Sequence, residues 1–105
     1  MKEQPNLSYI HQLSGGDRAF EEKLLDVVKR ELPVEIDELK NNLQADNFSE
    51  AAANVHKLKH KISILGLEKS YYIAERYEDE LREGNNKMQA EFEDILQRML
   101  VFIRS

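Results

Sequence analysis

An apolar stripe at helical spacing runs through the first half of this chain and limits its fold more than any other feature. Its members recur at steps of four and three residues: Phe20, Leu24, Val28, Leu32, Ile36, Leu39 and Leu43. That period is typical of one face of an α-helix. The stripe keeps its phase across Pro33, although proline removes a backbone hydrogen bond and disfavours helical geometry at Leu32. The pattern predicts one long helix kinked near Pro33, while a break at that point stays open.

Breaker and capping residues delimit this long helix and the segment before it. A short turn or helix is predicted over residues 7–13, and the run Ser14-Gly15-Gly16 ends it. Asp17 follows at a position where its carboxylate can cap the next helix. We therefore expect a short N-terminal element and then the long helix.

A third helical pattern contains both histidines of the middle of the chain. Asn47 and Glu50 resemble a capping box at its start, and Gly66 is placed to end it. The apolar positions of this helix are Phe48, Ala51, Val55, Leu58, Ile62 and Leu65. His56 is rotated by about 100° from Val55, so we expect it on the flank of the helix and not deep in the core.

Two further helical stripes complete the chain. The fourth pattern uses Leu67, Ser70, Ala74, Tyr77 and Leu81 and stops at Gly84-Asn85-Asn86; the fifth uses Met88, Phe92, Ile95, Leu96, Met99, Phe102 and Ile103. No alternating strand pattern competes with them. We expect an all-α fold, an up-and-down four-helix bundle with a short additional N-terminal helix. A chain of 105 residues with 41% hydrophobic content suits one core, so residues 1–105 are interpreted as a single domain.

Composition excludes several classes of function. The chain has no cysteine, which removes disulfide scaffolds, thiolate metal sites and cysteine nucleophiles. It has neither a signal-peptide pattern nor a membrane-spanning apolar run, so a cytoplasmic protein is expected. The net charge of −5 argues against general attraction to nucleic acid or to a membrane surface. We also expect a monomer.

The charge is distributed unevenly around His56. Between His56 and Lys69, four lysines stand against one acid, Glu68, which is a local balance of +3 and leaves −8 for the rest of the chain. A solvated lysine face is the ordinary explanation of such a run. A histidine nucleophile among cations is also what a transient phosphoryl group requires, and charge alone leaves both explanations open.

The run Val55-His56-Lys57-Leu58-Lys59, with Gly66 ten positions after the histidine, resembles the signature of histidine-containing phosphotransfer (Hpt) domains. In that signature, H-x-L-K is followed by small residues and a glycine. The segment from Leu7 to Asp17, followed by Phe20, is similar to the start of many such domains, and Glu31-Leu32-Pro33 also occurs where the family often has it. The resemblance covers nearly the whole chain.

The resemblance implies a phosphorelay intermediate and not an enzyme. His56 would accept a phosphoryl group from the aspartyl phosphate of one receiver domain and pass it to the aspartate of another. Lys59, one turn further on, would hydrogen-bond the phosphoryl oxygens. The receiver would supply Mg²⁺, and this chain would bind no cofactor of its own. The sequence has neither a glycine-rich phosphate loop nor kinase motifs, which agrees with a carrier that does not bind ATP.

One position departs from the family pattern. Glycine or another small residue is common four positions after the histidine, where this chain has His60. His60 would narrow the surface offered to the receiver, donate a hydrogen bond to the phosphoryl group, or select a matching partner. Residues near His56 that the sequence predicts as a docking surface are Ala52, Ala53, Lys57, His60, Lys61 and Ser63. Leu13 and Phe20 would lie nearby if the chain packs like its relatives.

Two other functions stay open from the sequence. Histidines at positions i and i+4 share a helix face and can bind one Zn²⁺, but the sequence supplies no obvious third ligand to His56 and His60. The remaining histidine, His11, is expected on the exposed side of the short first helix. Alternatively, the chain is a helical adaptor that binds a receiver domain without being phosphorylated.

Overall fold

Helices carry most of the residues that the structure describes. The computed structural model of the chain describes residues 3–104, and within that range it contains helices and no strands. The helices are α1 (Ser8–Ser14), α2 (Arg18–Gln44), α3 (Phe48–Ile64), α4 (Glu68–Arg82) and α5 (Gln89–Arg104). The prediction of an all-α fold is confirmed for these residues.

The long helix α2 is continuous through Pro33. Its middle and final turns bury the predicted stripe, namely Val28, Leu32, Ile36, Leu39 and Leu43. Phe20, in the first turn, is 41% exposed and so lies outside the core. Asp17 caps the helix as predicted, since its Oδ1 accepts a hydrogen bond from the Phe20 backbone N–H at 3.2 Å. The kink near Pro33 stays a prediction.

The four longer helices pack around a shared core. α2 and α4 each contact both α3 and α5, while α1 packs on α2 and α3. Fully buried side chains from α2, α3, α4 and α5 fill the centre, with the rings of Tyr77 and Phe92 5.1 Å apart. Burial of these apolar side chains is the main source of stability in such a domain.

Polar contacts show that α2 and α3 run antiparallel. Asn54 Oδ1 accepts from Asn42 Nδ2 at 2.6 Å, and Lys61 Nζ lies 3.2 Å from Glu35 Oε2. Residues that come later in α3 thus face earlier residues of α2. His56 lies between these two contacts along α3 and is therefore level with the second half of α2.

The end of α3 brings α4 back alongside it. Gly66 has a φ of +74°, a conformation that favours glycine. Its N–H donates to Ser63 O at 3.0 Å, and the Leu67 N–H donates to Ile62 O at 3.1 Å, which together form a Schellman motif. A Cβ atom at Gly66 would also overlap the Asn6 side chain. The predicted helix end at Gly66 is confirmed, and the chain reverses within three residues.

The capping box predicted at the start of α3 is wrong. Asn47 is the N-cap residue, but its side chain makes no capping hydrogen bond. Its backbone N–H instead donates to Asn42 O at 2.8 Å, as part of the turn that ends α2. Asp46 adopts a positive φ of 54° in that turn. Because Asn47 closes the preceding helix, its backbone angles do not favour side-chain capping of the next one.

A residue from the N-terminal segment caps α4. The Glu3 carboxylate accepts hydrogen bonds from the backbone N–H groups of Lys69 and Ser70, both at 2.9 Å. Burial raises the pKa of Glu3, but these hydrogen bonds outweigh that effect and leave the pKa below its ordinary value. Glu3 thus supplies the capping acceptor that the N-cap residue Leu67 lacks.

Candidate functional site

His56 lies on the exposed flank of α3, next to residues that face the core. Val55 and Leu58 are fully buried, and successive helical residues are rotated by about 100°. That rotation leaves 57% of the His56 side chain exposed, whereas the Lys59 side chain, one turn further on, is only 12% exposed. The predicted flank position of His56 agrees with the structure.

Glu78 of α4 joins the charged residues of this surface. Its Oε1 lies 3.3 Å from His56 Nδ1 and 3.1 Å from Lys59 Nζ. Its Oε2 accepts a hydrogen bond from Arg82 Nη2 at 2.9 Å. The Glu78 side chain itself is 11% exposed, so one nearly buried carboxylate holds three basic side chains in place.

Glu78 and Lys59 stabilise each other in their charged forms. Burial raises the pKa of Glu78, but hydrogen bonds from Arg82, Lys59 and His56 outweigh it, and the pKa lies below its ordinary value. Burial lowers the pKa of Lys59, but the hydrogen bond and the charge of Glu78 outweigh it and raise the pKa. Both residues are therefore ionised at neutral pH.

The contact with Glu78 selects one protonation form of the neutral His56 ring. An ionised carboxylate only accepts hydrogen bonds, so the proton in this contact belongs to His56 Nδ1. The free lone pair then lies on Nε2. Nε2 makes no hydrogen bond within the part of the chain that the structure describes. The arrangement leaves one ring nitrogen as an exposed nucleophile.

The charge around this nucleophile favours an anionic group. The single carboxylate of Glu78 faces two permanent cations, Lys59 and Arg82. Glu78 and these two cations therefore sum to +1 when His56 is neutral, while the Glu75 carboxylate also acts on Lys59 and raises its pKa. An exposed imidazole nitrogen beside such a cluster is chemically suited to take up a phosphoryl group, whose oxygens the cations can neutralise.

Comparison with known protein families identifies the family to which the chain belongs. The family model described as the Hpt domain matches residues 23–104, more than three quarters of the sequence. The chain belongs to the Hpt domain family. Hpt domains act in histidine phosphotransfer in phosphorelay signalling, as phosphoryl carriers that interact with receiver domains and not as kinases. Comparisons with curated proteins and with solved structures gave no match.

The docking residues predicted from the sequence divide into two groups in this Hpt domain. Ala53, Lys57, His60 and Ser63 are exposed. Ala52 is fully buried and Lys61 is 8% exposed. These two lie inside the interfaces of α3 with its neighbours, so a partner would not reach their side chains without rearrangement.

Lys61 has a structural contact instead. Its Nζ lies 2.8 Å from Glu31 Oε1 and 3.2 Å from Glu35 Oε2, both on α2. Burial lowers the pKa of Lys61, but the hydrogen bonds that its Nζ donates to these carboxylates outweigh that effect and raise the pKa. Lys61 therefore joins α3 to α2 on the side away from α4.

The histidine pair gives no support to the zinc hypothesis. The rings of His56 and His60 meet edge to face, with centroids 6.1 Å apart. Within residues 3–104, no group of three or more potential metal-ligating side chains is present. His11 is exposed, as expected, and its Nδ1 lies 3.0 Å from Glu21 Oε2 near the start of α2. It makes no contact with the Hpt histidine pair.

Sequence reasoning did not single out Glu78. A signal was nevertheless present, since Glu78 lies within the apolar stripe of α4, four residues after Ala74 and three before Leu81. A charged residue at such a position is nearly always paired when it is buried. The sequence did not indicate its partners, because they lie on another helix of the Hpt domain or one turn away.

Among residues 3–104 of this domain, no helix is both long and apolar enough to cross a membrane.

Proposed function

We propose that His56 is the phosphoacceptor of this Hpt domain. It takes a phosphoryl group from the aspartyl phosphate of one receiver domain and passes it to the aspartate of another. The observation that carries this proposal is the exposed His56 ring whose Nδ1 faces the Glu78 carboxylate, with Lys59 on the same carboxylate oxygen. The motif match of His56 and Lys59 supports the same assignment.

The proposed transfer step uses the free lone pair of His56. Nε2 attacks the phosphorus atom of the aspartyl phosphate, and a bond forms between Nε2 and phosphorus. The bond between phosphorus and the aspartate oxygen breaks, and the aspartate leaves with the bonding electron pair. The proton on Nδ1 stays in its hydrogen bond with Glu78, which stabilises the positive charge that develops on the ring. The reverse sequence delivers the group to the next receiver.

Lys59 and Arg82 neutralise the transferred group. Both already lie on the Glu78 carboxylate that His56 contacts, and we propose that they bond to the phosphoryl oxygens when the group is present. Lysine acts as a point charge, and the arginine guanidinium suits two oxygens at once. Mg²⁺, expected in the receiver, would neutralise charge from the opposite side.

Mapping the label tests this assignment. Receiver domains of the source organism are charged with radiolabelled acetyl phosphate and Mg²⁺ and then mixed with the protein. We expect an acid-labile, alkali-stable label, as phosphohistidine requires, in the peptide that contains His56. A label on His11 or His60 would contradict the proposal. Receiver binding without any label would support the adaptor function instead.

The docking surface that we propose around His56 includes the exposed members of the predicted set. These are Ala53, Lys57, His60 and Ser63, while the buried Ala52 and Lys61 are left out. His60 would be part of this contact, since its ring lies one turn from His56 and meets it edge to face. We assign His60 a role in partner selection.

Replacement of Lys59 by alanine is expected to slow phosphotransfer by about 10- to 100-fold, the equivalent of one lost charged hydrogen bond of roughly 1.5–3 kcal/mol. The lifetime of the phosphorylated form should also shorten. Rapid-quench transfer assays measure the first effect and the decay of labelled protein measures the second.

Lys57→Ala is the matched control for that variant. Lys57 lies on the same helix, but its side chain is 55% exposed and its Nζ pairs with Glu38 at 3.7 Å. Because Lys57 lies on the docking surface and not at the phosphoryl group, we expect the transfer rate constant at saturating receiver to stay within about threefold of wild type, with any effect confined to KM. Equal effects of the two substitutions would show that general positive charge, and not Lys59, is what matters.

Several features of the sequence interpretation remain predictions. They are the up-and-down order of the helices, the kink near Pro33, a single domain over residues 1–105 and a monomeric state. A cytoplasmic location and the lack of nucleic-acid, membrane and cofactor partners are likewise expected from the sequence.

A further inference from the structure

Two adjacent tyrosines near the start of α4 have no role in the site described so far. Tyr72 is 66% exposed, a larger fraction than any other exposed large hydrophobic residue within residues 3–104. Tyr71 is partly buried and packs against the core. The two rings meet at 90° with centroids 6.0 Å apart. Tyr71 thus lies against one side of the Tyr72 ring.

The tyrosines are continuous with the proposed phosphoryl site. Lys59 Nζ lies 5.6 Å from the centroid of the Tyr71 ring and 3.1 Å from Glu78 Oε1. His56 and Lys59 thus both contact Glu78, and Lys59 in turn lies over the ring of Tyr71. Both rings also line a shallow cavity of about 230 Å³ together with Ser63 and Glu68.

Distance places Tyr72 within reach of a partner centred on His56. Tyr72 precedes Glu78 by six residues, or about 9 Å of helix. A standard protein interface covers roughly 800 Å² on each partner, which is a disc of about 16 Å radius. The axial separation of Tyr72 from Glu78 is shorter than this radius, so a receiver centred on His56 can extend to Tyr72.

Phe20, the exposed aromatic residue of α2, lies further from His56 than Tyr72 does. Lys57 Nζ is 3.7 Å from Glu38 Oε2, so Glu38 is level with the His56 region. Phe20 precedes Glu38 by 18 residues, or roughly 27 Å of helix. The structure therefore does not support the expectation that Phe20 lies beside His56. The exposed aromatic surface of α4 at Tyr72 is therefore nearer to His56 than that of α2 at Phe20.

We propose that Tyr72 anchors the receiver domain during phosphotransfer, with an apolar side chain of the receiver filling the cavity between Tyr72 and Ser63. This inference rests on the proposed function, since it assumes that the receiver is centred on His56. Exposed tyrosines supply a large apolar area, lose little side-chain entropy on binding and often dominate binding energy. The partner is a receiver domain because this is the class of protein with which Hpt domains interact.

Steady-state transfer from a charged receiver tests the proposal. The panel of receivers is phosphorylated with acetyl phosphate and Mg²⁺, and the one that transfers fastest to wild type is used. Tyr72→Ala is expected to raise KM by about 5- to 30-fold, as for an interface anchor, while kcat stays within twofold. Alanine preserves the helix, so the fold is retained. Tyr72→Phe should keep a KM within threefold of wild type.

Two other alanine variants complete the experiment. Val101→Ala is the matched control, because Val101 is 56% exposed but lies on α5, which packs on α2 and α4. Its KM should equal that of wild type. Phe20→Ala tests the competing surface and should change KM less than Tyr72→Ala does. A wild-type KM for Tyr72→Ala, or a larger effect of Phe20→Ala, would overturn the proposal. Loss of labelling in wild type itself would instead refute the proposed function on which it rests.

Discussion

Replacing His56 by glutamine is expected to abolish phosphotransfer, with labelling reduced by more than about 1,000-fold. Glutamine has a similar length and can still donate a hydrogen bond to Glu78 through its amide, but its amide nitrogen has no available lone pair for attack on phosphorus. The His56 side chain is 57% exposed, so the free energy of unfolding should change by less than about 1 kcal/mol. Transfer assays and urea unfolding of the same preparation measure the two effects.

The other histidines provide the controls for this substitution. His11→Gln should transfer at the wild-type rate, because His11 pairs with Glu21 at the start of α2 and not with the His56 cluster. His60→Gln is expected to transfer at a rate that depends on the receiver used. Undiminished acid-labile labelling of His56→Gln would refute the assignment of His56 as the phosphoacceptor.

Replacing Glu78 by methionine is expected to slow phosphotransfer by about 10- to 100-fold. Methionine has a similar volume but offers no strong acceptor to His56 Nδ1, so the ring loses the contact that places its lone pair on Nε2. The same change leaves the nearly buried Lys59 without its carboxylate and should cost roughly 1–3 kcal/mol of stability. Transfer kinetics and urea unfolding measure the two effects.

Glu78→Gln separates hydrogen bonding from charge. Glutamine keeps an oxygen that can accept from Nδ1, so we expect it to transfer within about tenfold of wild type and faster than Glu78→Met. A wild-type transfer rate for Glu78→Met would show that the contact with Glu78 does not position the ring.

The stability effect of Glu78 should depend on pH with a defined sign. Its pKa in the folded protein lies below the ordinary value of 4.5, so its charged contacts stabilise the fold fully above about pH 4.5. This contribution is lost as the pH falls through the lowered pKa. The difference in unfolding free energy between wild type and Glu78→Gln should therefore be largest near pH 7 and shrink below pH 4.5. Urea unfolding at both pH values measures it.

Local patterns predicted most of the helical structure. The stripe from Phe20 to Leu43 indicated α2, Asp17 indicated its start and Gly66 indicated the end of α3. Each of these signals depends on residues within one or two turns of one another, which is why they can be interpreted without a fold. The capping box at Asn47 failed because the Asn47 backbone N–H, which a capping box would direct to the Glu50 side chain, donates to Asn42 O at the end of α2 instead.

Periodicity predicted the direction of each side chain on α3 but not how much of the helix is covered. It placed His56 correctly on the flank, and it placed Ala52 and Lys61 near His56 as well. The structure buries both, because α3 packs against α2 on one side and α4 on the other. The width of a buried surface depends on the neighbouring helices, and their positions are not a property of the α3 sequence.

The sequence by itself determined the helices and the pairing of His56 with Lys59, because residues three positions apart lie on one helix face in any fold that keeps the helix. Only the tertiary structure decided that Glu78 faces both residues, since that contact joins positions 22 residues apart on two helices. It also decided that Tyr71 lies near Lys59 and that Tyr72 packs next to Tyr71. The reason is the three-residue turn at Gly66, which brings α4 back along α3 and thereby provides His56 with its carboxylate partner and with the α4 surface that we propose for docking.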